Sequence, residues 1–206
     1  MKYEGSPFGK MSGAIAGQVA SSWKGIKYGR AYVVPNNPDT DDQKLQRAMF
    51  KNISQFGRRL VDSVLNLYTL PPPKLMSAFN KFMSVNVPLQ TADVIDYAAI
   101  LMVQGSLYPG SGTYLVVDES LATGVLTWNP VLIGEAKGTD PVHVVLYNVE
   151  KDVFAYSPAA VRSAGTVTII TTGWMQGEHV QAWMFFTDAA MTKSSDSIQI
   201  SAVIQA

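Results

Sequence analysis

Few residues in this chain have side chains that commonly do chemistry, and those few are widely spaced. There are two histidines, His143 in the apolar run Val142–Leu146 and His179 beside Glu178, and no cysteine. Two isolated histidines make a poor metal site, because zinc and related ions need three or four ligands at close spacing. We therefore expect no metal, and we expect His143 to face outwards from a strand. Without cysteine the chain forms neither disulfides nor thiolate sites, which fits assembly in a cytosol.

The carboxylates form no catalytic pair that the sequence identifies. Asp118-Glu119 and Glu150–Asp152 lie where strands are expected to end, so solvated turns explain them best. A glycosidase needs two carboxylates that face each other across a cleft, an arrangement that the sequence leaves open. Gly110–Gly112 is followed by neither a helix start nor Lys-Ser/Thr, as a phosphate-binding loop requires. We expect no cofactor and no enzymatic activity.

Basic and aromatic side chains alternate near the N-terminus. They are Trp23, Lys24, Lys27, Tyr28, Arg30 and Tyr32. A second basic group lies along one face of the helix expected to follow, at spacings of three, four and seven residues: Lys44, Arg47, Lys51 and Arg58. We interpret these ten residues as subunit contacts. The alternatives are phosphate contact with base stacking on a packaged nucleic acid, or solvated cations without a partner.

The charge distribution supports contacts between subunits. Residues 1–60 contain ten Lys and Arg against four Asp and Glu, a net charge of +6, and residues 61–206 contain six against twelve, a net charge of −6. Charged residues make up 16% of the chain, below the roughly 25% of an ordinary soluble domain. Weakly charged surfaces tend to be interfaces. The opposite net charges of the two halves indicate head-to-tail contact between copies, or a basic part that faces nucleic acid.

Two N-terminal segments position these residues. Residues 1–39 are predicted to form a glycine-rich basic arm with a β-ribbon, which is marginal alone in water and needs a partner surface. Residues 40–92 are predicted to be helical, because Thr40 and Gln43 form a capping box before an apolar stripe. The stripe predicts a helix over 41–68, and a second helix is predicted over 73–84. A linker follows at 86–91.

Residues 93–206 are predicted to form a β-sandwich. Seven short runs with turn signals between them read as strands: Tyr97–Val103, Tyr114–Val117, Gly124–Trp128, His143–Asn148, Val167–Thr171, Val180–Thr187 and Ile198–Ile204. This pattern indicates an immunoglobulin-like or fibronectin-like sandwich with Trp128 in its core, with a jelly roll or other barrel as the alternative. The predicted fold class is α+β, with a ribbon arm and helical hairpin before an all-β sandwich.

A set of residues along nearly the whole chain carries a family resemblance. In the N-terminal part they are Ser12-Gly13, Gly17, Trp23-Lys24-Gly25, Tyr28, Arg30 and Asn37-Pro38-x-Thr40-x-x-Gln43-x-x-x-Arg47-x-x-Phe50. In the C-terminal part they are Thr127-Trp128, Thr139-Asp140, Tyr147-Asn148, Arg162, Gly177 and Ser195-Asp196-Ser197. Their order resembles the DUF6266 family, found mainly in Bacteroidetes genomes and, in looser form, among tailed-phage structural genes; Gly29 departs from the pattern. The resemblance implies a non-enzymatic protein, often of prophage origin, and supplies no catalytic residues.

These patterns lead to a prediction about function. We expect a virion structural protein of a bacteriophage, a capsid, decoration, neck or tail component, that assembles with copies of itself and with other virion proteins. It would assemble in the host cytoplasm through the basic arm and helix, since no signal peptide or membrane-spanning stretch is recognisable. The alternative is a sandwich that binds a host-surface glycan or receptor through exposed aromatic residues: Tyr108, Tyr114, Trp174 and Trp183. A weaker third reading is nucleic-acid binding through residues 10–30.

Overall fold

The computed structural model describes residues 13–15, 17–23, 26–34, 39–66 and 76–206. By contacts the chain divides into two units, Met1–Thr40 and Asp41–Ala206. The first unit contains a three-stranded antiparallel sheet in the order β1-β2-β3. Its strands are β1 Gly13–Ile15, β2 Gln18–Trp23 and β3 Ile26–Ala31. We call this sheet and the following residues to Val34 the ribbon.

The register of the ribbon accommodates its glycines. Gly17 has a positive φ of 79° in the turn between β1 and β2, a conformation that glycine adopts without a Cβ clash. Gly29, the departure from the family pattern, pairs with Ala20 in an uninterrupted β2–β3 ladder. A Cβ on Gly29 would meet no atom within 4 Å. The register therefore tolerates other residues at this position.

Two helices open the second unit. α1 spans Asp41–Arg59 and α2 spans Ala78–Asn86. The predicted helix over 41–68 is confirmed as far as Arg59. Beyond it the chain continues as a π-helical turn at Val61–Leu65, where both Val64 and Leu65 donate to the Leu60 carbonyl. Predicted positions 67 and 68 lie outside the described residues.

The predicted start of the second helix at 73 is wrong where the structure describes it. Residues 73–75 lie outside the described part, but Met76 and Ser77 are not helical. Ser77 is the N-cap, because its hydroxyl accepts a hydrogen bond of 3.2 Å from the Asn80 amide. Gly57 on α1 lets the two helices approach closely, since a Cβ there would lie 2.7 Å from the Phe82 ring. The close contact with Phe82 thus explains why Gly57 lies inside the helix.

The predicted linker over 86–91 is tightly bound instead. The buried Asn86 side chain donates to the carbonyls of Phe82 and Leu101, at 3.0 Å each, and accepts from the Leu101 amide at 2.8 Å. A short 3-10 turn spans Val87–Leu89. Gln90, also buried, bonds the backbone of Asp96. A buried polar side chain must find partners, and here its partners fix the loop.

Eight strands form two antiparallel sheets in the second unit. They are β4 Ser111–Asp118, β5 Thr123–Asn129, β6 Pro141–Asn148, β7 Val153–Tyr156, β8 Ala160–Val161, β9 Thr166–Ile170, β10 His179–Phe186 and β11 Ile198–Val203. The larger sheet has the order β11-β10-β6-β7, with β8 also paired to β6, and the smaller has the order β4-β5-β9. The protein is therefore a mixed α+β structure with antiparallel sheets.

The larger sheet is the middle layer of the second unit. One face shares a core with the smaller sheet, to which Leu126, Leu146 and Met184 contribute. The opposite face packs against the helices, through Tyr147 and Trp183 among others. Burial on both faces explains why β6 and β10 are apolar in continuous runs rather than in alternation. Helices and sheets thus share a hydrophobic core.

One of the seven strand predictions needs correction. Tyr97–Val103 is not a strand: Tyr97–Ala99 is a 3-10 turn, and the segment after it is irregular. Its apolar residues, such as Ile100 and Met102, are buried in the core beneath the helices. Several of its backbone groups bond side chains, for example the Met102 amide, which donates to the Ser197 hydroxyl at 2.9 Å. The short strands β7 and β8 were not predicted.

The other predicted strands correspond to β4, β5, β6, β9, β10 and β11. Trp128 lies in the core as predicted, with 3% of its surface exposed, and its indole N–H donates to the Arg162 carbonyl at 2.8 Å. No helix in the described part of the chain is long and apolar enough to cross a membrane. The predicted domain boundaries stay a prediction, for which an unfolding test is given below.

Candidate functional site

A groove of about 610 Å³ lies between α1, the segment that precedes Tyr97 and the turn that joins β6 to β7. Side chains on one face of α1, three or four residues apart, line it: Asn52, Gln55, Phe56 and Arg59. The other walls are formed by Asp93, Val94, Ile95, Tyr97, Tyr147 and Asp152. We call this site the polar groove. Its volume falls within the range of small-molecule sites.

Asp152 connects two walls of the polar groove. Its Oδ1 accepts a hydrogen bond of 2.6 Å from the Tyr147 hydroxyl. The Arg59 guanidinium forms an ion pair with the same carboxylate and lies over the Phe154 ring, 5.0 Å from its centroid. The bonds from Tyr147 and Arg59 hold the pKa of Asp152 below its ordinary value, and burial raises the pKa of Tyr147. The arrangement keeps Asp152 ionised and occupied by two donors.

Aromatic rings form the floor of the polar groove. Phe56, from α1, lies with its ring centroid 5.5–5.8 Å from four other rings: Tyr97, Tyr147, Phe154 and Trp183. Such edge-to-face and tilted contacts are favourable because the ring edge is positive and the ring face negative. Tyr97 is half-buried, and burial raises its pKa. Phe56 itself is 4% exposed, so Tyr97 is the ring that a ligand could reach.

The walls of the polar groove are also fixed by hydrogen bonds. The Asn52 side-chain amide donates to the Asp93 carbonyl and thereby ties α1 to the facing segment. The bonds from Gln90 to Asp96 hold that segment from the other side. Because the polar side chains are held in place by neighbours, the groove is suited to recognition by hydrogen bonding.

The predicted contact residues of the ribbon are placed only in part. Lys24 lies outside the described residues, and for Trp23 and Lys27 the structure describes the backbone, within β2 and β3. Tyr28 and Arg30 follow the two-residue alternation of β3 and therefore share one face of the sheet. Tyr32, beyond the strand, is 54% exposed.

The predicted basic face of α1 is exposed as expected from its spacing. All four of its residues lie at the surface: Lys44, Arg47, Lys51 and Arg58. Lys44 Nζ lies 3.5 Å from Asp41 Oδ1, an exposed pair of small energetic value. Arg59, which was not among the predicted residues, is the basic residue of α1 that reaches the sheet. The sequence signal that could have found the groove is the spacing of Asn52, Phe56 and Arg59 along one face.

The two histidines lie in different surroundings. His143 does not face solvent freely: it is half-buried, stacks on Phe185 at 5.2 Å and places Nε2 3.0 Å from the Thr187 hydroxyl. Burial lowers the pKa of His143 to about 4. His179 is exposed, with Nδ1 2.6 Å from Glu150 Oε1. Among the described residues there is no group of three or more acidic or histidine side chains that could hold a metal ion.

The aromatic residues predicted to bind a glycan are not all available. Trp174 is 7% exposed and Trp183 is fully buried, with its indole N–H bonded to the Ile100 carbonyl at 3.1 Å. Tyr108 is half-buried, and its carbonyl accepts from Arg162 at 2.9 Å. Tyr114 is 55% exposed. The prediction that both tryptophans are exposed is therefore wrong, because Trp183 lies on the face of β10 that the helices cover and Trp174, in the loop before β10, is buried in the core shared by the two sheets.

Residues 10–201 match DUF6266, which is described as a family of unknown function. The chain belongs to this family. No curated protein matches it. Among solved structures, a β-1,2-glucanase from Parabacteroides distasonis is 13% identical over 49% of this chain and 13% of its own, with a TM-score of 0.36. A myokine structure is 6% identical over 48% of this chain and 95% of its own, with a TM-score of 0.35.

Membership confirms the predicted DUF6266 family, and several residues of the resemblance that the structure describes have structural roles. The Ser195 hydroxyl accepts from the Phe186 amide at 2.9 Å, and the Ser197 hydroxyl accepts from the Met102 amide. Asp196 Oδ1 accepts from the Gly105 amide at 3.0 Å. A Cβ on Gly105 would lie 1.8 Å from a backbone oxygen. The Ser-Asp-Ser motif thus fastens the irregular segment after Tyr97 to the end of β10.

Arg162, another residue of the resemblance, is buried completely. Its Nε lies 3.5 Å from Asp140 Oδ2, and its guanidinium lies 3.7 Å from the centroid of the Phe186 ring. One terminal nitrogen donates to the Tyr108 carbonyl. Burial lowers the pKa of Arg162. The side chain joins three loops and a strand, which is a structural role.

Proposed function

We propose that this protein is a non-enzymatic virion structural protein of a bacteriophage, a capsid, decoration, neck or tail component. It assembles with copies of itself and with other virion proteins through its ribbon and the basic face of α1. The observation that carries the proposal is that none of the ribbon side chains described by the structure is buried. A sheet of three short strands is stable when one face packs against another surface. A neighbouring subunit supplies that surface.

The apolar surface of the ribbon supports this proposal. After β3 the chain exposes three consecutive large side chains: Tyr32 is 54%, Val33 69% and Val34 74% exposed. Ile26 in β3 is 48% exposed. Burying apolar surface contributes about 25 cal/mol per Å², so these residues gain free energy from a partner rather than from water. Such contiguous exposed apolar residues mark interaction sites.

The charges of the ribbon and α1 fit the same partner. The basic residues that the structure describes there, including Arg30, Lys51 and Arg58, are exposed. The rest of the chain carries the compensating acidic residues, with a net charge of −6 over 61–206. Copies arranged head to tail therefore bring opposite charges together, which speeds and orients association. Packaged nucleic acid is the alternative partner for the basic residues.

We further propose that the two sheets form an immunoglobulin-like or fibronectin-like sandwich. The support is topological: strands β4-β5-β9 form one sheet and β11-β10-β6-β7 the other. In chain order this corresponds to the A-B-E and G-F-C-C′ arrangement of that architecture. The shared core between the sheets, with Trp128 and Phe186 edge to face at 6.1 Å, agrees with it.

Assembly is tested on the full chain by light scattering coupled to size exclusion over a range of concentrations. The test variant combines Arg30→Glu, Tyr32→Ser and Val34→Ser, and the matched control makes the same three kinds of change at exposed residues of the second unit: Lys137→Glu, Tyr114→Ser and Ile170→Ser. We expect the wild type and the control to form the same oligomer and the ribbon variant to be monomeric with an unchanged circular dichroism spectrum. A wild-type chain that stays monomeric at high concentration contradicts assembly through the ribbon.

Two further measurements separate the alternatives. Mass spectrometry of phage particles purified after prophage induction should detect the chain, and its absence from them would exclude a virion protein. A DNA mobility shift that weakens steeply with salt and is lost with Arg30→Glu would assign the ribbon to nucleic acid. An oligomer that persists while DNA binding is absent supports protein–protein assembly.

A further inference from the structure

The polar groove is not used by the proposed assembly, and its polar groups are not all satisfied within the chain. The Gln55 side chain and the Asp93 carboxylate make no hydrogen bond or ion pair with the other described residues, and both are exposed. The second carboxylate oxygen of Asp152 and the half-exposed Arg59 add to them. The groove therefore offers an amide, two carboxylates and a guanidinium at its surface, beside the ring of Tyr97.

The charge of the polar groove selects against anionic ligands. Its ionised side chains are Asp93, Asp152 and Arg59, and the Arg59 charge is already paired with Asp152. The remaining charge is negative, so phosphates and carboxylates are repelled. A metal ion is also a poor fit, because the described residues here include two carboxylates and no third ligand of that kind. Of anions, metal ions and uncharged molecules, an uncharged ligand therefore fits best.

The polarity of the polar groove selects against a purely apolar ligand as well. An apolar molecule would strip water from Gln55 and Asp93 without returning hydrogen bonds, which is unfavourable. Planar amide and carboxylate groups match ligands with many neighbouring hydroxyls, since each can bond two of them. An accessible aromatic ring can pack against the apolar face of such a ligand. A sugar ring has these properties, because it is neutral, carries many hydroxyls and has a partly apolar face.

We infer that the polar groove binds a neutral carbohydrate, whose hydroxyls donate to the Asp93 carboxylate, accept from Arg59 and bond the Gln55 amide, and whose ring packs against Tyr97. The volume of about 610 Å³ accommodates a short oligosaccharide segment. The site lies on the helix-covered side of the larger sheet, where Trp183 is buried beneath Phe56. The groove shares no residue with the ribbon or with the four residues of the basic face of α1, although it lies on the same helix as that face.

The test uses the full chain on an array of neutral and sialylated glycans, followed by titration of the strongest neutral oligosaccharide. We expect neutral glycans to bind and their sialylated analogues to bind at least about tenfold more weakly, because the groove is negative. In amide-detected NMR spectra, the side-chain NH₂ signals of Asn52 and Gln55 should shift on titration. The signal of Gln46, an exposed glutamine of α1 outside the groove, should not.

Substitutions distinguish the groove from other surfaces. Gln55→Ala should weaken binding about three- to tenfold and Asp93→Ala at least about tenfold, as expected for lost neutral and charged hydrogen bonds. Gln46→Ala is the matched control, an exposed glutamine on the same helix, and it should leave affinity unchanged. Neither groove substitution alters a buried side chain, so folding is retained.

Several results overturn the inference. They are the absence of any neutral glycan binding at millimolar concentration, equal binding of sialylated analogues, or equal losses in Gln55→Ala and Gln46→Ala. A synthetic peptide of residues 10–34 is the competing ligand. If the peptide shifts the Asn52 and Gln55 signals and no glycan does, the groove is a protein-docking site of the assembly instead.

Discussion

Substitution of Phe56 tests whether the helices and the sheets form one cooperative structure. Phe56 is 4% exposed, and its ring contacts four aromatic neighbours on the sheet and on the segment that includes Tyr97. Replacing a buried Phe by Ala typically costs 3–5 kcal/mol through lost transfer free energy and the remaining cavity. The aromatic contacts keep this site above the lower end of that range. We expect Phe56→Ala to lower the free energy of unfolding by about 4 kcal/mol.

Phe50 provides a matched control on the same helix. Its side chain is 55% exposed, so Phe50→Ala should change the free energy of unfolding by no more than about 0.5 kcal/mol. Both changes remove the same atoms and alter helix propensity equally. The difference between the two variants therefore measures the contact between α1 and the sheet. Phe56→Leu, with an expected cost of about 1–2 kcal/mol, covers the case in which the alanine variant does not fold.

The assay is urea unfolding followed by tryptophan fluorescence and by far-ultraviolet circular dichroism. Trp183 reports on the contact directly, because its ring lies 5.8 Å from that of Phe56. With a slope of about 2 kcal/mol per molar urea, a loss of 4 kcal/mol moves the midpoint by about 2 M. We expect the two probes to coincide. A loss below about 1 kcal/mol, or a helical transition that precedes the fluorescence change, would refute the shared core and support separate domains over 40–92 and 93–206.

Three further predictions concern buried or constrained residues. Asp140→Ala should lower the free energy of unfolding by about 3–5 kcal/mol in the same assay, because it removes the carboxylate that pairs with the fully buried Arg162. A loss below about 1 kcal/mol would show that the pair is dispensable. Gly105→Ala should lower the free energy of unfolding by about 1–3 kcal/mol, because the new methyl overlaps a backbone carbonyl. Gly29→Ala is its control: the space around Gly29 is open, so the free energy of unfolding should change by no more than about 0.5 kcal/mol. Burial lowers the pKa of His143 to about 4 in the folded chain, so the unfolded chain binds a proton at higher pH and the free energy of unfolding should fall as the pH drops from about 6.5 to 4. His143→Gln should make the urea midpoint less dependent on pH over that range. An unchanged dependence of the midpoint on pH would contradict this assignment.

The sequence by itself determined α1 and most of the strands, because helices and strands depend on residues that are close together along the chain. The capping signal at Thr40 and the apolar stripe of α1 define a helix because residues three and four apart meet on its surface. Short β-rich runs located six of the eight strands of the second unit, and Trp128 was correctly placed in the core. Glycine is unfavourable inside a helix by propensity, and the reason for Gly57, the close approach of Phe82, lies outside the local pattern.

Tertiary structure alone decided which side chains face one another. The run Trp183–Phe186 shows no alternation, so the sequence could not tell that Trp183 points to the helices and Met184 to the other sheet. The polar groove joins Asn52, Asp93 and Asp152, which are widely separated in sequence and come from three elements. Periodicity reports which face of one element is apolar, whereas a site depends on how layers pack. For that reason none of the groove residues was predicted, although the exposed basic face of α1 was.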